Sequence, residues 1–187
     1  KIIREQGVMN AVICGEIPPD LSAVKNYKII GAVESVTAKD AKVYPAENEK
    51  FKVTLIDYGA KRNIIRELNK RGCTVTAVPA TATAEEILKT KPDGIMLSNG
   101  PGDPAENLFQ IEVIRELLGK KPIFGICLGH QLLALAMGAQ TEKLKYGHRG
   151  VNQPVKEVKG TRTYITSQNH GYAVVKGSVK RGKISFI

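Results

Sequence analysis

The chain has 187 residues, with 28 lysines and arginines against 18 aspartates and glutamates, a formal charge of +10 and a pI near 9.5. At 42% hydrophobic and 25% charged residues it falls among ordinary globular domains, which excludes the disordered and collagenous classes. No apolar run, 132–137 among the longest, approaches the ~18 residues that a membrane-spanning helix needs, so no membrane association is expected.

Residues 1–48 carry short apolar runs broken by Pro18-Pro19 and close on Tyr44-Pro45-Ala46-Glu47-Asn48, which reads as the tail of one domain and a linker. The opening Lys1-Ile2-Ile3-Arg4-Glu5-Gln6 has no apolar signal-peptide core, so no secretion signal is expected. A regular alternation then begins. Residues 51–56 form a β-rich run ending at Asp57, and Ile64, Ile65 and Leu68 have helical spacing up to Arg71-Gly72. Residues 73–78 are the next strand. Thr83 and Glu86 make a capping box that opens a short helix through Leu88. A third strand, 94–97, is broken by Ser98-Asn99-Gly100-Pro101-Gly102-Asp103-Pro104. A helix over 108–118, a fourth strand over 122–126 and a helix over 131–137, ended by Gly138, complete the pattern. Beyond it, 151–187 reads as short strands and turns.

Strands alternating with helices at this spacing predict an α/β fold: a mostly parallel open sheet flanked by helices, followed by a β-rich segment. Ligands in such sheets gather at the carboxyl ends of the strands, where two unusual loops fall, 99–104 and 125–129. Gly125-Ile126-Cys127-Leu128-Gly129 places a cysteine on a sharp strand-to-helix turn, with small residues two positions away on each side to relieve crowding. A helix start favours the thiolate, and the Leu128 N–H would point at the oxyanion formed when Cys127 attacks a carbonyl. The glycines of 99–104 permit close backbone approach and could complete that oxyanion hole. Cys14 and Cys73 read as structural cysteines. Three cysteines at distant spacings with no C-x-x-C pair predict neither a disulfide framework nor a metal site, and point to a reducing, cytoplasmic compartment.

These two loops resemble those of the triad-type, class-I glutamine amidotransferases. Within that superfamily, Lys145-Tyr146-Gly147-His148-Arg149-Gly150-Val151-Asn152-Gln153-Pro154-Val155, Ser167-Gln168-Asn169-His170-Gly171-Tyr172-Ala173-Val174 and Asp57-Tyr58-Gly59-Ala60-Lys61-Arg62-Asn63 resemble the small subunits of carbamoyl-phosphate synthetases. The resemblance implies that Cys127 attacks the side-chain amide of L-glutamine, releasing ammonia for a large synthetase subunit that uses ATP; no cofactor belongs to this chain. It implies glutamine-binding roles for Gly100, Gly102, Leu128, Gln131, Asn169, Gly171 and Tyr172. From the residues alone, 169–172 is only a turn with a polar residue.

The resemblance also implies that residues 1–48 match the last portion of the small subunit's N-terminal domain plus a linker, and 49–187 an amidotransferase domain lacking its C-terminal part. The family's His-Pro-Glu motif, its base and orienting carboxylate, does not occur in these 187 residues. The chain by itself is therefore expected to hydrolyse glutamine poorly, and docking on the synthetase subunit without catalysis is the alternative. His130 could share a helix face with Cys127, while His148 and His170 sit in motifs read as loops; structural hydrogen bonding is the expected role of all three. Ten basic residues against two acidic ones lie in 141–187. That imbalance raises a polyanion partner, but with aromatics at 5%, no tryptophan and no recognised binding motif, no nucleic-acid partner is expected.

Overall fold

A computed structural model describes residues 1–187. Two short helices, α1 (Ile2–Gln6) and α2 (Ser22–Lys25), lead to an edge strand, β1 (Lys42–Tyr44). The alternation follows as β2 (Phe51–Asp57), α3 (Arg62–Lys70), β3 (Cys73–Pro79), α4 (Ala84–Lys89), β4 (Gly94–Leu97), α5 (Leu108–Leu117), β5 (Ile123–Gly125) and α6 (Leu128–Ala136). The strands form one sheet in the order β1-β3-β2-β4-β5, parallel throughout except for β1, which runs antiparallel to β3. No helix is long and apolar enough to cross a membrane.

Side chains on a strand alternate between faces, and here both faces are apolar because both are covered. Leu55, Ala77 and Met96 point to one side, where they pack with Val75 and with Ile65 of α3. Their chain neighbours Ile56, Val78 and Leu97 point to the other, against Ile87 of α4, Ile111, Ile114 and Leu117 of α5, and Leu128 and Leu132 of α6. Burying each such side chain contributes about 1.5–3 kcal/mol. α4 opens with the capping box read from the sequence: the Glu86 N–H donates to Thr83 Oγ1 at 3.3 Å and the Thr83 N–H to Glu86 Oε2 at 2.8 Å.

The segment before β2 enters this architecture. Val33, only 1% exposed, belongs to the core cluster of α5 and α6. The Thr37 hydroxyl donates to the Asp57 carbonyl at the end of β2 (2.6 Å) and accepts from the Ala80 N–H just past β3 (2.9 Å). The segment thus crosses the carboxyl ends of the strands.

The structure departs from the sequence reading most in its last quarter. Where short strands and turns were expected over 151–187, an antiparallel hairpin begins ten residues earlier, with long strands β6 (Thr141–Lys156) and β7 (Thr163–Val174). Register shifts between Lys143/His148 and Gly150/Gln153 interrupt the period-two pattern, which is why it cannot be followed along the sequence. His148 and His170, read as loop residues, are cross-strand partners, and the supposed turn at 169–172 is strand. α6 starts at Leu128, three residues before the apolar run that marked it, because Gly129 and His130 interrupt the helical period.

Candidate active site

Cys127 is the N-cap of α6 and holds φ 53°, ψ −110°. A non-glycine residue there costs about 1–3 kcal/mol and persists only where the surroundings fix it. They do so by close approach. A Cβ on Gly129 would lie 2.4 Å from the Leu97 carbonyl oxygen, and one on Gly125 would lie 2.6 Å from the backbone of Gly129 and His130. The Gly129 N–H donates to the Ser98 carbonyl (3.0 Å) and the Ile126 N–H to that of Leu97 (3.0 Å). The first turn of α6 is therefore pressed onto the end of β4, and the G-x-C-x-G spacing follows from that contact.

The neighbouring loop is tied down with equal care. Ser98 is fully buried; its hydroxyl accepts from the Tyr58 N–H (2.9 Å) and donates to the Asn99 carbonyl (2.8 Å). Asn99 Nδ2 donates to the Gly59 carbonyl (2.9 Å) and its Oδ1 accepts from the Lys61 N–H (3.0 Å), which joins the Asp57–Asn63 motif to this loop. Gly100 lies under Leu128: a Cβ there would be 2.3 Å from the Tyr58 carbonyl and 2.6 Å from Leu128 Cδ2. Gly102 has φ +89° and turns the chain against Ala32. The Leu128 side chain is buried, and its N–H, the first in α6, has no helical acceptor.

β7 closes the third side. Cys127 Sγ donates to the Asn169 carbonyl at 3.9 Å, and Gln131 Nε2, on a side chain 7% exposed, donates to the Tyr172 carbonyl at 2.7 Å. Gly171 lies against the Arg149 guanidinium, whose Nη2 would be 3.3 Å from an added Cβ. Burial first, and then Asp103 and Glu106, raise the pKa of the Tyr172 phenol. The structure thus gathers Gly100 and Gly102 in one loop, Cys127, Leu128 and Gln131 on one helix start, and Asn169, Gly171 and Tyr172 on the facing strand.

A cavity of about 800 Å³ opens on one side of Cys127, lined also by His130, Gln131, His170, Tyr172 and part of 176–187. His130 is solvent-exposed, and desolvation lowers its pKa. No group of three His, Cys, Asp or Glu side chains is placed to hold a metal ion. The residues alone point to the elbow and the first loop but not to 169–172. The available signal was Gln131, a carboxamide inside an apolar helix, which needs a partner from another element.

Residues 54–187 match the family model for class-I glutamine amidotransferases. Over 185 residues, 97% of its length, the chain is 49% identical to the carbamoyl phosphate synthase small chain of Bacillus anthracis, and over 183 residues, 96% of its length, 50% identical to that of Bacillus caldolyticus. It spans about half the length of these curated relatives, 50% in both cases. Among solved structures it is similar to a glutamine amidotransferase of Thermotoga maritima (TM-score 0.57, 20% identity, 73% of this chain and 66% of that one). A glutamine amidotransferase of Methylobacillus flagellatus gives a TM-score of 0.52 at 14% identity, over 69% of this chain and 58% of that one. At these identities the two structures speak for the fold alone.

Proposed function

The chain belongs to the class-I glutamine amidotransferase family, and from that premise we propose that Cys127 hydrolyses the side-chain amide of L-glutamine. The observation that carries this reading is the strained elbow at φ 53°, which sets Cys127 at a helix start beside a loop with two glycines. The Cys127 thiolate attacks the carboxamide carbon, a C–S bond forms, and the carbonyl electron pair moves to oxygen. The Leu128 N–H donates to that oxygen, with a backbone amide of 100–102 as second donor; each such donor is worth about 10²–10³ in rate. The C–N bond then breaks, nitrogen takes a proton and leaves as ammonia, and water cleaves the thioester to glutamate and the free thiol. Gly100, Gly102, Leu128, Gln131, Asn169, Gly171 and Tyr172 hold the glutamine.

The 49% identity to carbamoyl phosphate synthase small chains supports a finer reading for the natural protein. In it, the ammonia passes to a large synthetase subunit, which uses ATP to make carbamoyl phosphate; this chain holds no cofactor. Proton transfer sets a limit. The hydrogen-bond partner of the Cys127 thiol is the Asn169 carbonyl, which accepts a hydrogen bond but is no base. We therefore propose that these 187 residues alone turn glutamine over slowly.

Glutamate release from glutamine tests both parts. In the natural protein, Cys127→Ala is expected to reduce the rate at least about 10³-fold; unchanged activity would remove Cys127 as the nucleophile. Turnover by the 187-residue chain equal to that of the natural protein would remove this limit on proton transfer.

A further inference from the structure

The β6–β7 hairpin carries a run of side-chain hydrogen bonds that the site residues leave unexplained. The Thr166 hydroxyl donates to the Gln153 carbonyl at 2.9 Å. A hydroxyl has one hydrogen, so toward Gln168 it accepts, and Gln168 Nε2 donates to Thr166 Oγ1 at 3.0 Å. That contact orients the Gln168 amide and turns its oxygen toward two imidazoles. His148 Nδ1 lies 3.0 Å and His170 Nε2 2.9 Å from Gln168 Oε1, with the two rings edge-on at a centroid distance of 5.0 Å. On its far side, His170 Nδ1 donates to the Tyr172 carbonyl at 2.7 Å, the same oxygen that accepts from Gln131 Nε2. With an oxygen at each nitrogen, the His170 ring makes both hydrogen bonds only when each nitrogen carries a hydrogen, since a neutral imidazole donates to just one of the two; the Tyr172 carbonyl then accepts at both lone pairs.

We propose that Gln168 is a positioning residue for glutamine, and that with Thr166 it fixes the His170 ring and so holds the 169–172 strand against α6. This rests on the glutaminase reading. The chain of contacts runs from Thr166 through Gln168 and His170 to the Tyr172 carbonyl. It therefore sets where the Asn169 carbonyl meets Cys127 Sγ and where Gly171 lies, although Gln168 touches no substrate. Positioning of this kind acts on the substrate in its ground and transition states alike, so its loss raises KM and leaves kcat nearly unchanged.

The test is the glutamine dependence of glutamate release by the natural protein and its Gln168→Leu, Gln168→Glu and Thr166→Val variants, with NMR of the imidazole rings. Gln168→Leu and Thr166→Val are expected to raise KM about tenfold, with kcat within about threefold, as for the loss of one or two hydrogen bonds. The His148 and His170 ring signals should move in both variants. Gln168→Glu keeps an oxygen for both rings, and its second oxygen can accept from the Thr166 hydroxyl in place of the lost Nε2 donation, so it should recover most of the KM. Should Gln168→Leu fail to fold, the contrast between Gln168→Glu and Thr166→Val decides. An unchanged KM in an active series, or a Gln168→Glu variant no better than Gln168→Leu, overturns the proposal alone. A natural protein that releases no glutamate overturns the glutaminase reading, and this proposal with it.

Discussion

Single atoms decide whether the elbow forms. A Cβ on Gly129 has the Leu97 backbone 2.4 Å away, which neither partner can yield, whereas Gly177 has open space around it and no left-handed backbone. Gly129→Ala should therefore destabilise the protein by about 2–4 kcal/mol, and Gly177→Ala should stay within about 0.5 kcal/mol; denaturant unfolding of the pair checks this. Tyr172 gives a second expectation. Its pKa is raised by burial and by Asp103 and Glu106, so folding favours its protonated form. The corresponding stability is fully present below the ordinary tyrosine pKa and is lost as pH rises through the raised value. In an absorbance titration of the six tyrosines, two should ionise late, Tyr58 and Tyr172, and Tyr172→Phe should remove one of them. At this scale the sequence spoke clearly where backbone crowding dictates residue type, as at Gly125 and Gly129. It was silent at Asn169 and Tyr172, whose contacts to α6 run through main-chain oxygens that any residue would supply.

Elements were readable in proportion to how locally they are determined. The capping box of α4 involves only Thr83 and Glu86, and it was found from the sequence. Thr83→Ala should cost about 1 kcal/mol and speed amide exchange in Ala84–Lys89 above that in α5. Strands buried on both faces announce themselves as apolar runs, which is why β2, β3 and β4 were found almost to the residue. The β6–β7 hairpin was not, because its bulges break the alternation and its polar residues are satisfied across the pair, as between His148 and His170 through Gln168. Cross-strand partners as far apart in the chain as His148 and His170 leave no local signal.

At the scale of the whole molecule, the sheet gives each face its own core, and the site lies where β4, β5 and the hairpin converge. Alternating periodicity is enough to predict such a sheet; the attachment of the leading segment to it is not, since a lone Val33 or Thr37 carries no pattern. Yet Val33 is 1% exposed in the larger core, Thr37 bridges the ends of β2 and β3, and β1 pairs along β3. This bears on how the protein is divided for expression. Residues 49–187 produced alone would lose a core side chain and leave β3 as a bare sheet edge, open to pairing with other copies. A cut placed before Gly31 keeps all three features. Light scattering of the two preparations should find the shorter one aggregating and the longer one dispersed. The practical boundary of this fold therefore lies before the stretch 44–48 that its own sequence marks as a linker.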